Sequence, residues 1–470
     1  MNPKTFDVIV IGAGPAGEVL AGRLAVKRHK VAIVESHLVG GECSFFGCMP
    51  SKALLRPAQA LAEAGRVPGA AQAVTGELDV AAVLSRRDRI VGDLDDSGQV
   101  PWLESRGVEL IRGHGRLDGD RRVSVGDEVY EARRAVVIAV GSRATLPPIP
   151  GLADAEPWTN REITTTERIP ERLIVLGGGA VGVEMAEAFT SLGSTVVVIE
   201  AAPRLIPREE PFAAEELRHA LALRGVDVLL GVRAERLCRE GGVVRVWLSD
   251  GTSVESDEIL VAIGRRPLTD DLGLETVGLQ PGGFVEVDDR LGVPGLSWLY
   301  AIGDANGRSL LTHVGKYQAH VLSEILDGSR TAAIAPDSGT PRVIFTEPQV
   351  AAVGLSLQDA VDQGLRARAY DVPSSGTAGA SFHGRNTPGT SRIVVDERRG
   401  VIVGATFTGT GVADWLHAAT IAIISRTPIE RLWDAIPAFP TRSEIWLKLL
   451  ERREAELAAE KWRGTSLAAA

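Results

Sequence analysis

The chain has 470 residues, 44% of them hydrophobic, and a formal net charge of -10. That length can bury several cores, about three domains by the usual size relation, and the acidic balance argues against nucleic acid or an anionic membrane surface, since both select a basic field. Three cysteines are too few for a secreted disulfide framework, no signal segment precedes the first apolar run at Phe6, and no apolar stretch nears the ~20 residues of a membrane span, so the cytoplasm is the expected compartment.

Phe6–Ile11 (FDVIVI) reads as a strand running into Gly12, Gly14 and Gly17, and the helix that follows carries Val19, Leu20 and Leu24. A second apolar run, Val31–Val34, ends at Glu35, about 20 residues beyond Gly12. Glycine backbone lets a pyrophosphate approach a helix N-terminus, and an acid ending the second strand can accept from a ribose hydroxyl, so this unit is expected to bind a dinucleotide.

Gly40–Leu55 (GGECSFFGCMPSKALL) then sets Cys43 and Cys48 five residues apart ahead of an amphipathic helix. Five helical residues rise about 7.5 Å and turn through roughly 140°, whereas a bridged pair wants Cα atoms about 4.4 to 6.8 Å apart. A redox disulfide here therefore needs a distorted backbone. Gly47 permits the distortion, and Pro50 biases Met49 away from helical angles while suiting the first helical position. Cys48 lies near a helix N-terminus, which lowers a thiol pKa. A zinc site needs about four ligands, and the pair has no neighbouring His or Cys to complete one.

Arg134–Ser142 (RAVVIAVGS) reads as a buried strand reaching a glycine, followed by the stiff loop Pro147–Gly151 (PPIPG), a possible interdomain hinge. The dinucleotide pattern then recurs. Leu173–Leu176 leads to Gly177, Gly179 and Gly182, a helix holds Met185, Ala186 and Phe189, and Val196–Ile199 ends at Glu200. A carboxylate there would bond a 2'-hydroxyl and repel a 2'-phosphate, which favours NAD over NADP, although Arg204 stands close by. Cys238, the third cysteine, is expected to be buried in this unit. Ile259–Pro267 (ILVAIGRRP) and Leu299–Asp304 (LYAIGD) repeat the strand-to-glycine pattern. Beyond Pro336, Val343–Phe345, Arg392–Val395 and Gly400–Phe407 read as antiparallel strands and Trp415–Ile424 and Arg442–Leu450 as helices, an α+β texture suited to pairing, with an Ala- and Glu-rich helical tail.

With GGECSFFGCMPSK, both glycine triads, AIGRRP, AIGD and FTEPQVAAVGL (Phe345–Leu355) in place, the whole chain resembles a class I pyridine nucleotide-disulfide oxidoreductase of the dihydrolipoamide dehydrogenase type. The resemblance implies an α/β fold with two Rossmann-like nucleotide-binding domains and a C-terminal α+β dimerisation domain. Its boundaries would be 1–149 and 284–335 for FAD, 150–283 for NAD, and 336–470 for the interface. It implies a homodimer whose electrons run from NAD(P)H through flavin to the cystine and on to a small-molecule acceptor. Cys43 would be the interchange thiol and Cys48 the charge-transfer thiol, with Lys52, paired with Glu184, tuning the flavin. FAD contacts are implied at Gly12, Gly14, Gly17, Glu35, Gly41, Lys52, Gly115, Ser142, Asp304 and Thr312, the Asp304 contact being to the ribityl chain. NAD contacts are implied at Gly177, Gly179, Val181, Gly182, Glu184, Glu200 and Gly264.

The departure is at the C-terminus. Where the family closes the site with a partner-subunit segment carrying a base His and, five residues on, a Glu, this chain has Phe439 and Glu444, and no histidine follows His417. Such a base contributes about 10² to 10⁴ in rate. Arg442 as a fixed cation beside Cys43, or Glu444 as a weak base, could compensate in part. Otherwise the chain could pass flavin electrons to a quinone or dye. It could also use the dithiol without proton transfer, resembling 2-ketopropyl-coenzyme M oxidoreductase/carboxylase, which shares the Phe but keeps a His where Glu444 stands. A reading from another class is an idle flavoprotein acting as a redox-responsive partner. Phe45, Phe46, Trp433 and Trp446 could shape an apolar acceptor pocket, with core packing as the plainer role, and His383 and His417 are weak candidates for a substitute base. The C-terminal cysteine pair of mercuric and large thioredoxin reductases is missing, and Glu200 disfavours a glutathione reductase.

Overall fold

Lys4–Ile11 is the middle strand of the first sheet because both its faces are apolar: Val8 and Val10 pack with Leu20 and Leu24 of the helix Pro15–Val26 (α1), while Ile9 and Ile11 pack with Val136, Ile138 and Leu299. The computed structural model describes residues 3–329, 339–384, 387 and 389–468. Lys4–Ile11 pairs in parallel with Val31–Glu35 on one side and Glu128–Ile138 on the other. Glu109–Arg112 and Leu296–Ala301 add further parallel strands outside these. After Val31–Glu35 come the one-turn helix Gly41–Phe45 (α2), the long helix Cys48–Arg66 (α3) and its neighbour Val80–Ile90 (α4).

Pro57 lies inside α3 and has no N–H for the Ala53 carbonyl one turn back, so Arg86 of α4 donates to that carbonyl instead, at 3.1 Å.

The second sheet has four parallel strands in the order Asp227–Leu230, Thr195–Glu200, Arg172–Leu176, Glu258–Val261. Trp158 bridges Leu260 at its edge and so fixes the entry to a short helix, Asn160–Thr165 (α5). The helix Ala180–Ser191 (α6) follows the second glycine turn and buries Val183, Met185 and Phe189 in a core shared with Leu54 and Leu55 of α3. An antiparallel meander, Ala234–Glu240, Val243–Leu248 and Ser253–Ser256, covers the other face through Leu237, Val244 and Val246. Cys238 on this meander is half-buried rather than buried, because it sits out of phase with the inward Leu237.

Neither Arg134–Ser142 nor Ile259–Pro267 is one continuous strand. Each strand ends before its glycine, at Ile138 and Val261, and the chain turns at Gly141 (φ +74°) and Gly264 (φ +145°). The residues beyond, Ser142–Ala144 and Arg265–Pro267, pair with each other as an antiparallel ribbon joining the two units. The PPIPG loop is pinned to the meander, with Leu237 N–H donating to the Pro150 carbonyl at 2.9 Å.

The helix Thr312–Asp327 (α7) packs beside α1. The third sheet is antiparallel, in the order Pro341–Ile344, Gln349–Gly354, Val401–Gly409, Thr390–Asp396, Ala367–Pro373. The helices Leu416–Ile424 (α8) and Ile445–Ala468 (α9) bury Leu416, Ala419, Ile445 and Leu449 on it. Gln349–Gly354 and Ala367–Pro373 were not read as strands from sequence, and the helix expected from Arg442 starts at Ile445 after a 3-10 turn, Arg442–Glu444. The boundary expected at 335/336 lies outside the described residues. No helix among the described residues is long and apolar enough to cross a membrane.

Candidate active site

The two glycine turns are built alike. A Cβ on Gly17 would meet the Gly12 carbonyl oxygen at 1.9 Å, and one on Gly182 would meet the Gly177 carbonyl oxygen at 1.9 Å, so each helix sits directly on its turn. Gly14 and Gly179, by contrast, have nothing within 4 Å where a side chain would be, and each begins its helix without a side-chain cap. Open space in front of bare helical N–H groups is what a pyrophosphate requires. The acids match as well. Glu35 accepts from Ala13 N–H and His37 N–H, both at 2.7 Å, and Glu200 accepts from Gly178 N–H and Ala202 N–H, both at 2.6 Å. Each carboxylate thus straps its turn to the end of the second strand and retains lone pairs for a ribose.

A cleft runs past the first turn. Gly12, Gly14, Glu35, Gly41, Gly115, Ser142, Asp304 and Thr312 line it, and Cys43 stands on its wall. Gly177, Gly179, Val181, Glu200 and Gly264 line a second cleft. Gly17 and Gly182 lie behind their turns as packing residues. Ser142 Oγ donates to Asp304, whose carboxyl is pushed above its usual range by burial, and Arg265 donates to both Ser142 Oγ (2.7 Å) and its carbonyl (2.6 Å). The donors and the open cradles fit FAD in the first cleft and a nicotinamide dinucleotide in the second.

Cys43, Cys48, Lys52, Glu184 and Thr312 meet in a smaller pocket between the clefts. The backbone break falls at Gly47 (φ -132°, ψ -107°), which separates α2 from α3 and sets Cys48 at the first position of α3. Met49 is helical and Pro50 is third in the helix, contrary to the sequence reading. Gly47 takes the bend, and a proline in the first turn lacks only an N–H that has no helical acceptor. Cys43 stands beside Cys48, its thiol donating to the Cys48 sulfur. Cys48 is pulled down to about 6, first by the bond from Cys43, then by Thr312, whose Oγ1 is 3.5 Å from its sulfur, and by Lys52, against burial. Cys43 is pushed up by the same bond and by burial. Lys52 Nζ donates to Glu184 Oε2 at 2.7 Å and stands 4.7 Å from the Phe345 ring centre, and Glu184 Oε1 accepts the Phe345 N–H at 2.9 Å.

Four residues not singled out from sequence gather beside it, Glu42, Asn160 and Arg265 on the pocket wall and Arg161 at the first cleft. Glu42 accepts from Arg161 Nε (2.6 Å) and Asn160 Nδ2 (2.7 Å), with Arg265 at 3.4 Å. Arg265 was visible as part of AIGRRP. Asn160 and Arg161 carry no local pattern.

Phe439 and Glu444 are not brought to this pocket within the subunit. Phe439 is 76% exposed, among other exposed apolar residues of the same domain such as Ile424 and Ile436, whereas Glu444 Oε2 is shielded with no hydrogen-bond partner among the described residues. Within its own subunit the Arg442 guanidinium lies 4.2 Å from the Trp415 ring centre and donates to the Thr410 carbonyl. His383 faces Glu63 at 3.8 Å. Phe45 is core, Phe46 packs with it at the cleft edge under Arg161, and Trp446 packs edge-on against Phe407.

The profile of the pyridine nucleotide-disulphide oxidoreductases matches residues 6–319, and that family's dimerisation-domain profile matches residues 340–450. A dihydrolipoyl dehydrogenase of Thermus scotoductus is 35% identical, over 95% of this chain and 97% of that one. A mercuric reductase of Lysinibacillus sphaericus is 28% identical, over 94% and 82%. Among solved structures, the HOCl-induced flavoprotein disulfide reductase RclA from Escherichia coli, in a Cu(II) complex, aligns with a TM-score of 0.86 at 25% identity, covering 96% of this chain and 99% of that one. LpdA from Mycobacterium tuberculosis aligns at 0.84 and 26%, covering 96% and 99%.

Proposed function

The chain belongs to the pyridine nucleotide-disulphide oxidoreductase family, an FAD- and NAD(P)H-dependent enzyme with a dimerisation domain, and from that premise we propose that it reduces a disulfide-type acceptor of the lipoamide kind through Cys43 and Cys48. Bound in the first cleft, FAD supplies the two-electron relay between NADH in the second cleft and the Cys43–Cys48 cystine. The residues do the rest. Cys48, with its thiol near 6, is the member read as the charge-transfer thiolate beside Lys52; Cys43, kept protonated, is the one that must lose its proton to attack substrate. Lys52 holds positive charge beside Cys48, and Glu184 fixes Lys52 in place. The meeting of Cys43, Cys48, Lys52 and Glu184 in one pocket between the two clefts is the observation that carries this reading. Paired, low-count cysteines also suit a reducing compartment, and the cytoplasm is proposed on that ground.

Phe439 at the family's base position makes proton removal from Cys43 the weak step. NADH oxidation coupled to lipoamide reduction is expected to rise by about 10² or more in Phe439→His, from the usual worth of a positioned base. No rise would overturn the assignment of that position. The missing imidazole also favours a second reading, quinone reduction at the flavin. Under that reading Cys43→Ser keeps quinone turnover, and a collapse of that turnover would dismiss it.

A further inference from the structure

The turn that carries Cys43 is held from the side of the dinucleotide cleft. α2 has five residues, and the Phe46 N–H to Glu42 carbonyl bond is the bond that closes its turn. A helix this short does not stabilise itself, so outside ties set its position. Asn160 supplies them at both ends: Nδ2 donates to Glu42 Oε2 at 2.7 Å and to the Phe46 carbonyl at 2.9 Å. Its Oδ1 accepts from Arg265 NH1 at 3.1 Å, so both ends of this 7%-exposed amide are engaged. Asn160 and Arg265 also line both the dinucleotide cleft and the dithiol pocket. Trp158, two residues before Asn160, ties the start of α5 to the second sheet through Leu260.

We propose that Asn160 is a positioning residue that couples occupancy of the dinucleotide cleft to the exposure and orientation of Cys43. A ligand that engages the Asn160 amide or the Arg265 guanidinium competes with the bonds to Glu42 and Phe46 and releases the α2 turn. By linkage, a displaced turn changes dinucleotide affinity by the same factor. The inference rests on the assignment of the second cleft to NAD(H).

The test uses reduced holoenzyme under anaerobic conditions. Iodoacetamide labelling of Cys43 is followed by peptide mass spectrometry across pH, with and without 1,4,5,6-tetrahydro-NAD, which cannot give or take a hydride. Saturation is expected to change the wild-type labelling rate by about fivefold or more, the lower end of usual site-site coupling. Asn160→Ala is expected to lose that response at unchanged flavin content. Glu42→Gln, which keeps Asn160 and the size of the side chain, is expected to lose most of it. A response retained in both variants, or missing from the wild type while the analogue binds, overturns the coupling. Failure of the analogue to bind, read from flavin fluorescence, overturns the cleft assignment itself and the inference with it.

Discussion

Thr312→Val removes one hydroxyl from beside the Cys48 sulfur and keeps the shape of the side chain. In the native site Thr312 Oγ1 is 3.5 Å from Cys48 Sγ and helps to hold that thiol near 6. A hydrogen bond to a charged group contributes about 1.5 to 3 kcal/mol; the contact is long and the acceptor is sulfur, so the lower end applies. At about 1.4 kcal/mol per unit this is an upward shift of about one pKa unit. The sign follows from the charge: the donor stabilises the thiolate, so its loss favours the thiol. The assay is absorbance of the thiolate-to-flavin band in two-electron-reduced enzyme as a function of pH, with FAD content matched between proteins. A midpoint about one unit above the wild type's is expected. A midpoint that stays put, or moves down, would refute the assignment of Thr312 as donor to Cys48.

Three further substitutions probe the frame. Gly182→Ala places a methyl 1.9 Å from the Gly177 carbonyl oxygen and is expected to abolish reduction by NADH while FAD content and reduction by dithionite persist; Gly17→Ala, with the same clash at Gly12, is expected to lose FAD instead. Glu187 is buried, accepts the Glu347 N–H with both oxygens, and is pushed by burial from 4.5 up to about 7. Its folded pKa lies above the unfolded one, so its contribution is fully present below about 4.5 and is lost as pH rises through about 7. Glu187→Gln should therefore gain melting temperature over the wild type at pH 8 more than at pH 5, and an equal difference at both pH values would count against a protonated Glu187.

The parts of the molecule that were legible in the sequence are those whose physics is local. A glycine triad between an apolar strand and a helix, or two cysteines around Gly47, constrains its own backbone, and Gly12, Gly177, Cys43 and Cys48 stand in the arrangements those patterns imply. The family resemblance holds across both profiles. What was missed depends on distant partners. Glu42 meets Asn160 and Arg265 from far along the chain, and nothing in NREITT announces a buried amide with both ends engaged. Gln349–Gly354 went unread as a strand because its four central residues are all buried, which leaves no alternation to see. The Met49 and Pro50 reading failed because the glycine absorbed the bend that proline was expected to make.

The Arg86 bond to the Ala53 carbonyl also bears on how separable the redox element is. Pro57 leaves a gap in the hydrogen-bond ladder of α3 within two turns of Lys52, and a guanidinium from a neighbouring helix fills it. A segment transplanted from Gly40 to Arg66 into another scaffold would carry the cysteines and the lysine but not the splint, so the helix presenting Cys48 must travel together with α4 to keep its shape.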